Sequence, residues 1–473
     1  MLFSSGEFVL LVSITFCLYY LPVLASLQVP ILIAASLTFY AFARLDMVLL
    51  LVFTGLTDFV VSYGMFRSPV RSLRVAIAAL GVALNISLLI FFKYTGLLIS
   101  TFLTDTSVSN QWTIFVATLP LPIGISFFTL QGISILVDQL RGDLNLHFLE
   151  DTERPLRDYC LRTTLTVFFF PKLFAGPIVR ARHFFPQVET KLIWEIDWEF
   201  TAKTLIMGYF LKMVIADNLQ DHTFWMDYPY FMHFGSYPLA VMLLGFSVQL
   251  FADFAGYSLI AIGVASLFGY RLPENFNYPY ISRSFMELWR RWHISFTSWL
   301  RDYLYFPLGG SRKGPVRTFA NTLVVMILSG LWHGAAWSFA LWGALHGLIL
   351  AMERPLRSRI ENSNSALLSL LSWFVVFILL TYLWIFLRLP KIGHIIEYTK
   401  YLFKGTGPLA TDPRITICIW LYTIPVMLYH LIYLWRERIV SRSQVWKDYA
   451  YAVMLFGIIT GSGSPVKFFY FQF

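Results

Sequence analysis

Apolar blocks long enough to cross a lipid bilayer recur along the whole 473-residue chain, and no other feature restricts its fold as tightly. A hydrocarbon core of roughly 30 Å takes about 20 residues of helix, and within it only helices and closed barrels satisfy every backbone donor and acceptor. A barrel would show segments of about ten residues with alternating polarity. That alternation is missing here. Candidate spans fall near 7–25, 29–44, 47–66, 75–98, 113–136, 163–179, 202–216, 236–269, 319–333, 335–351, 366–387, 415–434 and 449–460. Several are too short for a simple crossing, and short or broken helices survive at bilayer depth only where protein or a water-filled cavity covers their backbone. The expectation is an all-α polytopic membrane protein of roughly 11–13 segments with a buried cavity.

Composition agrees. The chain is 57% hydrophobic and 13% charged, with a mean hydropathy of +0.64, which excludes a water-soluble surface and intrinsic disorder alike. The net charge of +9 is read first as topology, because Lys and Arg stay on the cytoplasmic side. Anionic lipid or substrate comes second, and no nucleic-acid-binding domain is recognisable. Basic clusters at Arg67, Arg71 and Arg74, at Arg354, Arg357 and Arg359, and at Arg436, Arg438, Arg442 and Lys447 mark cytoplasmic loops. So does the stretch 271–317, with Arg271, Arg283, Arg290, Arg291, Arg301, Arg312, Lys313 and Arg317. The N-terminal segment reads as a retained span that starts outside. One membrane domain over 1–473 is expected, with N-terminal spans in 1–235, a core in 236–353 and C-terminal spans in 354–473.

The unusual polar residues concentrate in that core. Gln249, Asp253 and Tyr257 recur four apart and form one polar stripe on an apolar helix. A carboxylate at this depth costs several kcal/mol unless it is paired or faces water, so the stripe is either a helix–helix clamp or a cavity lining. In 273–310, Ser284 is placed to cap a helix whose Leu288, Trp292, Phe296, Trp299 and Tyr303 follow helical spacing, with Glu287 and Arg291 an i,i+4 pair. That helix is too charged to span; it lies in the cytoplasmic interface or dips inward. His333 sits within Gly330-x-x-x-Gly334 and His346 within Gly343-x-x-x-Gly347, spacings that let helices approach closely. Imidazole is the side chain suited to proton transfer near neutral pH, so His333, then His293 and His346, are the candidate functional groups. His147, His183, His222, His233, His394 and His430 have no supporting motif, and Cys17, Cys160 and Cys418 have neither metal-ligand nor disulfide spacing. No phosphate loop, nucleophile elbow, zinc helix or metal site is expected.

These segments carry a resemblance. The runs QLFADFAGYSLIAIGVASLFGYRLPENFNYPYIS, FMELWRRWHISFTSWLRDYLYFPLGGSR and LSGLWHGAAWSFALWGALHG resemble the membrane-bound O-acyltransferase (MBOAT) family, in its alginate O-acetyltransferase branch with cellulose- and peptidoglycan-acetylating relatives. LFSSGEF, NISLLIFFKYTGLL, LPIGISFFTLQGISILVDQLRG, FFPKLFAGPIVR and the terminal KFFYFQF extend it along the chain. The resemblance implies a helical fold around a tunnel joining the two membrane faces. It implies that His333, in LWHG, is the principal catalytic histidine and that His293, in WRRWHIS, is the second active-site position. His346, Asp253, Gln249, Tyr257, Trp332 and Asn275 are then supporting or tunnel-lining. One departure stands out, since Leu259 follows GYS where relatives often carry an acid.

The implied activity is O-acetyl transfer in a bacterial inner membrane. Acetyl-CoA is the implied cytoplasmic donor, not a tightly bound cofactor, with Arg290, Arg291, Arg301, Arg312 and Lys313 as candidate phosphate contacts. The implied acceptor is an extracytoplasmic polysaccharide such as alginate, reached directly or through a periplasmic acetyl-transfer protein. Membrane lipid is the remaining implied partner, and nucleic acid is not one. The competing readings are peptidoglycan O-acetylation and a non-catalytic transporter of an acyl donor or polymer.

Overall fold

The computed structural model describes residues 1–102, 119–144, 146, 154–356, 365–405, 413–439 and 444–465, with backbone alone for 435–439 and 444–447. Arg357, Arg359, Arg442, His147, residues 113–118 of one expected span and the terminal KFFYFQF lie outside the described residues, as do the side chains of Arg436, Arg438 and Lys447. Among the described residues every regular element is helical. The chain is an all-α, multi-pass membrane protein.

Among the described residues seven helices are long and apolar enough to cross a bilayer: Pro22–Ala43, Leu45–Arg67, Arg71–Phe102, Ser236–Leu267, Gly314–His333, Ala366–Arg388 and Pro413–Leu434. Gly6–Tyr19 and Asp448–Gly461 are shorter apolar helices. The most apolar window of Ser236–Leu267 is 89% buried, whereas the same measure lies between 17% and 44% for the other six. Uniformly apolar helices of the second kind turn a face to lipid, and the first is enclosed by protein. The block at 236–269, long enough for two spans, is therefore one continuous buried helix of 32 residues.

The fold divides into two compact units. One comprises Met1–Ala202 with Ile260–Pro273; the other comprises Lys203–Leu259 with Glu274–Phe473. In the first unit the expected span near 163–179 is broken. Helix Pro155–Phe168 ends before Pro171, a single turn Phe170–Leu173 follows, and the chain to Arg180 runs buried without helical structure. Proline cannot donate to the helical ladder, and irregular backbone at this depth needs a protein cover. Lys172 supplies part of it, donating to Gln131 Oε1 and to the Thr166 carbonyl oxygen. Asn85 Nδ2 donates to Asp58 Oδ1 at 2.8 Å, tying helix Arg71–Leu89 to helix Val48–Arg67.

Helix Trp198–Tyr209, most of it in the second unit, passes into a π-helical stretch, Phe210–Ala216, and then into Asp217–Thr223. The helical hairpin Gly314–His333 and Trp337–Glu353 is packed backbone to backbone. A Cβ on Gly330 would stand 2.0 Å from the Phe339 carbonyl oxygen, and one on Gly343 would stand 2.1 Å from the Met326 carbonyl oxygen. The glycine pairs around the two histidines are close-approach sites, as their spacing suggests. Gly330→Ala is expected to lower thermal stability by about 1–3 kcal/mol, the ordinary cost of overpacking, because a rigid carbonyl blocks the added methyl. Gly393, in helix Ile392–Lys404, has nothing within 4 Å of a built Cβ and is the control. Thermal unfolding in detergent measures both; Gly330→Ala at the wild-type midpoint would refute the packing account.

Candidate functional site

The stretch 285–305 forms three short pieces, which corrects the expectation of one aromatic helix. Ser284 caps the first, Phe285–Arg291, by accepting the Glu287 N–H at 3.0 Å. Glu353, at the end of the hairpin, accepts the Phe285 N–H at 2.5 Å and the Met286 N–H at 3.1 Å. Helical geometry stops at Trp292. His293 has φ +45°, a left-handed conformation that a non-glycine residue adopts only when its surroundings impose it. Ile294–Leu300 and a π-helical turn, Arg301–Tyr305, follow. No glycine or proline marks the break. It is set by the segment before the helix, where the Asn275 carbonyl oxygen accepts the Ile294 N–H at 2.9 Å and Asn277 N–H donates to the Arg291 carbonyl oxygen at 2.9 Å. Phe285, Leu288, Trp289, Trp292, His293, Phe296 and Trp299 are buried, so the segment dips into the protein.

That break brings two histidines together. His293 is wholly buried and His333, the last residue of its helix, is 4% exposed; their ring centroids are 6.3 Å apart. Phe296 stacks on His293 at 4.9 Å, meets His333 edge-on at 5.4 Å and is itself stacked against Trp332 at 4.2 Å. Phe254 meets His293 edge-on at 4.6 Å. The His293 Nδ1 lies 3.0 Å from Asn275 Oδ1. The same oxygen accepts the Ser295 N–H at 3.3 Å and the Ser295 hydroxyl at 2.9 Å, while Asn275 Nδ2 donates to Ser258 Oγ at 3.0 Å.

His346 stands one aromatic ring further away. It is wholly buried against Trp342 at 4.5 Å, Trp289 at 5.2 Å and Phe285 at 5.5 Å, and Trp342 also meets His333 edge-on at 5.4 Å. His430, which lies in no supporting motif, is buried too, with Nδ1 2.8 Å from the Val426 carbonyl oxygen four residues earlier, a local helix contact.

The polar stripe carries a buried ion-pair cluster. Lys212 Nζ lies 2.8 Å from Asp253 Oδ1 and 2.6 Å from Asp217 Oδ1, all three side chains being at most 7% exposed. Gln249 accepts the Thr223 hydroxyl at 2.5 Å and donates to Gln220. A Cβ on Gly256 would stand 2.8 Å from both the Gly208 carbonyl oxygen and the Lys212 nitrogen, so the two backbones nearly touch. Tyr257, 3% exposed, completes the stripe. Lys212 and Asp217 are the residues sequence reasoning missed; their only signal is a basic and an acidic residue inside an apolar block.

The basic candidates separate by their neighbours. Arg291 is tied to Glu287 at 3.0 Å and to the Asn277 carbonyl oxygen at 3.1 Å, and Arg301 forks onto Asp302 at 2.7 and 3.4 Å. Arg290, Arg312 and Lys313 are exposed.

Spanning helices, with one buried imidazole at the break of an interrupted helix and a second at the end of helix Gly314–His333, define a polytopic membrane protein whose second unit encloses a histidine pair. Residues 37–392 match the membrane-bound O-acyltransferase family, and the chain belongs to it. It is an acyltransferase. The chain is 37% identical over 397 residues to a probable alginate O-acetylase of Pseudomonas aeruginosa, covering 82% of this chain and 72% of that one. It is 32% identical over 401 residues to the peptidoglycan O-acetyltransferase of Helicobacter pylori, covering 80% and 74%. A teichoic acid D-alanyltransferase of Bacillus subtilis is 29% identical over 238 residues, covering 48% and 58%.

Proposed function

We propose that this acyltransferase O-acetylates an extracytoplasmic polysaccharide such as alginate from the inner membrane, with acetyl-CoA as the cytoplasmic donor and delivery either direct or through a periplasmic acetyl-transfer protein. The observation that carries the reading is the enclosed pair His293 and His333, with ring centroids 6.3 Å apart in a chain of this family. The names of the alginate and peptidoglycan relatives share O-acetyl transfer, and the higher identity favours alginate.

A neutral hydroxyl is a weak nucleophile, so a positioned base must take its proton as the oxygen attacks the acyl carbonyl. His333 is that base. The new C–O bond forms, the C–S bond of the thioester breaks, and the proton passes from His333 to the departing thiolate. His293 contacts the acceptor beside it. The surrounding Phe254, Phe296, Trp332 and Trp342 exclude water, which otherwise competes as the acceptor. Arg290, Arg312 and Lys313 are the exposed cations suited to the nucleotide phosphates of the donor, and the same charges hold their loop on the cytoplasmic side. The test is reconstitution in proteoliposomes with radiolabelled acetyl-CoA on the side of the basic loops. Alginate oligosaccharides, peptidoglycan fragments and extracytoplasmic acetylation proteins are supplied as acceptors opposite. Label in ester linkage on alginate or on such a protein is expected; label on none of them, with folded protein, overturns the reading.

A further inference from the structure

The hydrogen bonds around Asn275 determine which nitrogen of His293 carries the proton. Asn275 is 2% exposed and His293 is wholly buried. A backbone N–H can only donate, so the Asn275 atom that receives the Ser295 N–H at 3.3 Å is the amide oxygen. The amide nitrogen is then the end that donates to Ser258 Oγ at 3.0 Å. An amide oxygen can only accept, so the 3.0 Å contact with His293 requires the imidazole proton to sit on Nδ1. In the neutral ring the lone pair is left on Nε2. Among the described residues that nitrogen has no hydrogen-bond partner. A buried acceptor without a donor is costly, and such atoms persist where a ligand supplies the missing group. The backbone tells the same story: the Asn275 carbonyl oxygen holds Ile294 N–H at 2.9 Å, immediately after the left-handed His293. One residue therefore fixes both the strained main chain and the ring.

We propose that Asn275 is a positioning residue that locks His293 in its Nδ1–H tautomer, so that the bare Nε2 accepts a hydrogen bond from a hydroxyl of the acceptor substrate. This rests on the acyl-transfer reading and narrows it. His293 in this form cannot donate to the developing oxyanion. It holds the acceptor by the hydroxyl next to the reacting one, while the reacting hydroxyl gives its proton to His333. Such an arrangement suits a polyol, whose neighbouring hydroxyls reach both rings at once.

Two measurements test it. In protein carrying ¹⁵N-histidine, solid-state NMR with a His293→Gln control for assignment is expected to show the His293 Nδ1 protonated and its Nε2 bare. Asn275→Leu, which removes the accepting oxygen, is expected to lower kcat/KM for the acceptor by about 10- to 100-fold, the range carried by an orienting hydrogen bond behind a functional histidine. Donor affinity should not change, and Asn275→Asp, which keeps an accepting oxygen, should recover most of the loss. A wild-type His293 protonated on Nε2, or a folded Asn275→Leu with unaltered acceptor kcat/KM, overturns the proposal. If Asn275→Leu does not fold, the tautomer and the Asn275→Asp profile still decide. Failure of the acyl-transfer reading would look different, since the wild type itself would form no ester while the tautomer remained measurable.

Discussion

His333→Ala is expected to lower the rate of ester formation by about 10²- to 10⁴-fold, the contribution of a positioned general base, while the protein remains folded. The expectation follows from where the residue sits. His333 ends helix Gly314–His333, next to an extended Gly334 whose added Cβ would stand 2.4 Å from the Phe339 ring, so the turn places the imidazole without depending on it. The turn itself is closed by main-chain atoms, the Gly334 N–H donating to the Gly330 carbonyl oxygen at 3.4 Å. Activity should therefore fall far more than stability. The assay is labelled acetyl transfer per folded molecule, with thermal unfolding run in parallel. A folded His333→Ala that retains wild-type turnover would remove the residue from the chemistry.

Lys212→Met is expected to have the largest effect on folding. Its ammonium group lies between Asp217 and Asp253, at 2.6 and 2.8 Å, and all three side chains are buried. Removing one partner of a buried ion pair leaves an uncompensated charge, which typically costs about 3–5 kcal/mol. Here two carboxylates would be left behind, in a place where Gly256 brings the helix backbones into contact. Lys212→Met should therefore reduce the yield of folded protein sharply. Combining it with Asp217→Asn and Asp253→Asn should restore much of the loss, because a neutral set of similar volume needs no counter-charge. Asp253→Asn alone should keep acyl transfer per folded molecule, as a clamp and not a catalyst requires. Size-exclusion yield and thermal midpoint measure the series. Wild-type stability in Lys212→Met would show that the cluster is not held as charged groups.

What could be read from the sequence divides along physical lines. Local rules gave the Ser284 cap, the Glu287–Arg291 pair and the close approach at Gly330 and Gly343, because each depends on residues within a turn or on one packed face. The stripe Gln249, Asp253, Tyr257 was legible as a face, but its partner was not. Lys212 reaches Asp253 only through the π-helical stretch Phe210–Ala216, whose register no propensity announces. The broken helix at His293 was missed for a related reason. Its cause is Asn275, 18 positions earlier, and not a glycine or proline in the segment itself. Histidines 40 positions apart in sequence were singled out by residue type and by family resemblance, yet their approach to 6.3 Å and the tautomer of one of them belong to tertiary structure alone.

The central claim is that an enclosed histidine pair makes an ester bond and does not merely line a path for an acyl group. Single-turnover reconstitution tests it most directly. Proteoliposomes holding the wild type, or a variant with both His293→Ala and His333→Ala, are given radiolabelled acetyl-CoA on one face, and a polyol acceptor together with extracytoplasmic acetylation proteins on the other. Base-labile acetyl ester on the acceptor is then measured against free label that has crossed. Ester with the wild type and a loss of at least about 10²-fold in the double variant are expected. Ester formed at the wild-type rate by the folded double variant, or label that crosses with no ester in the wild type, would contradict it.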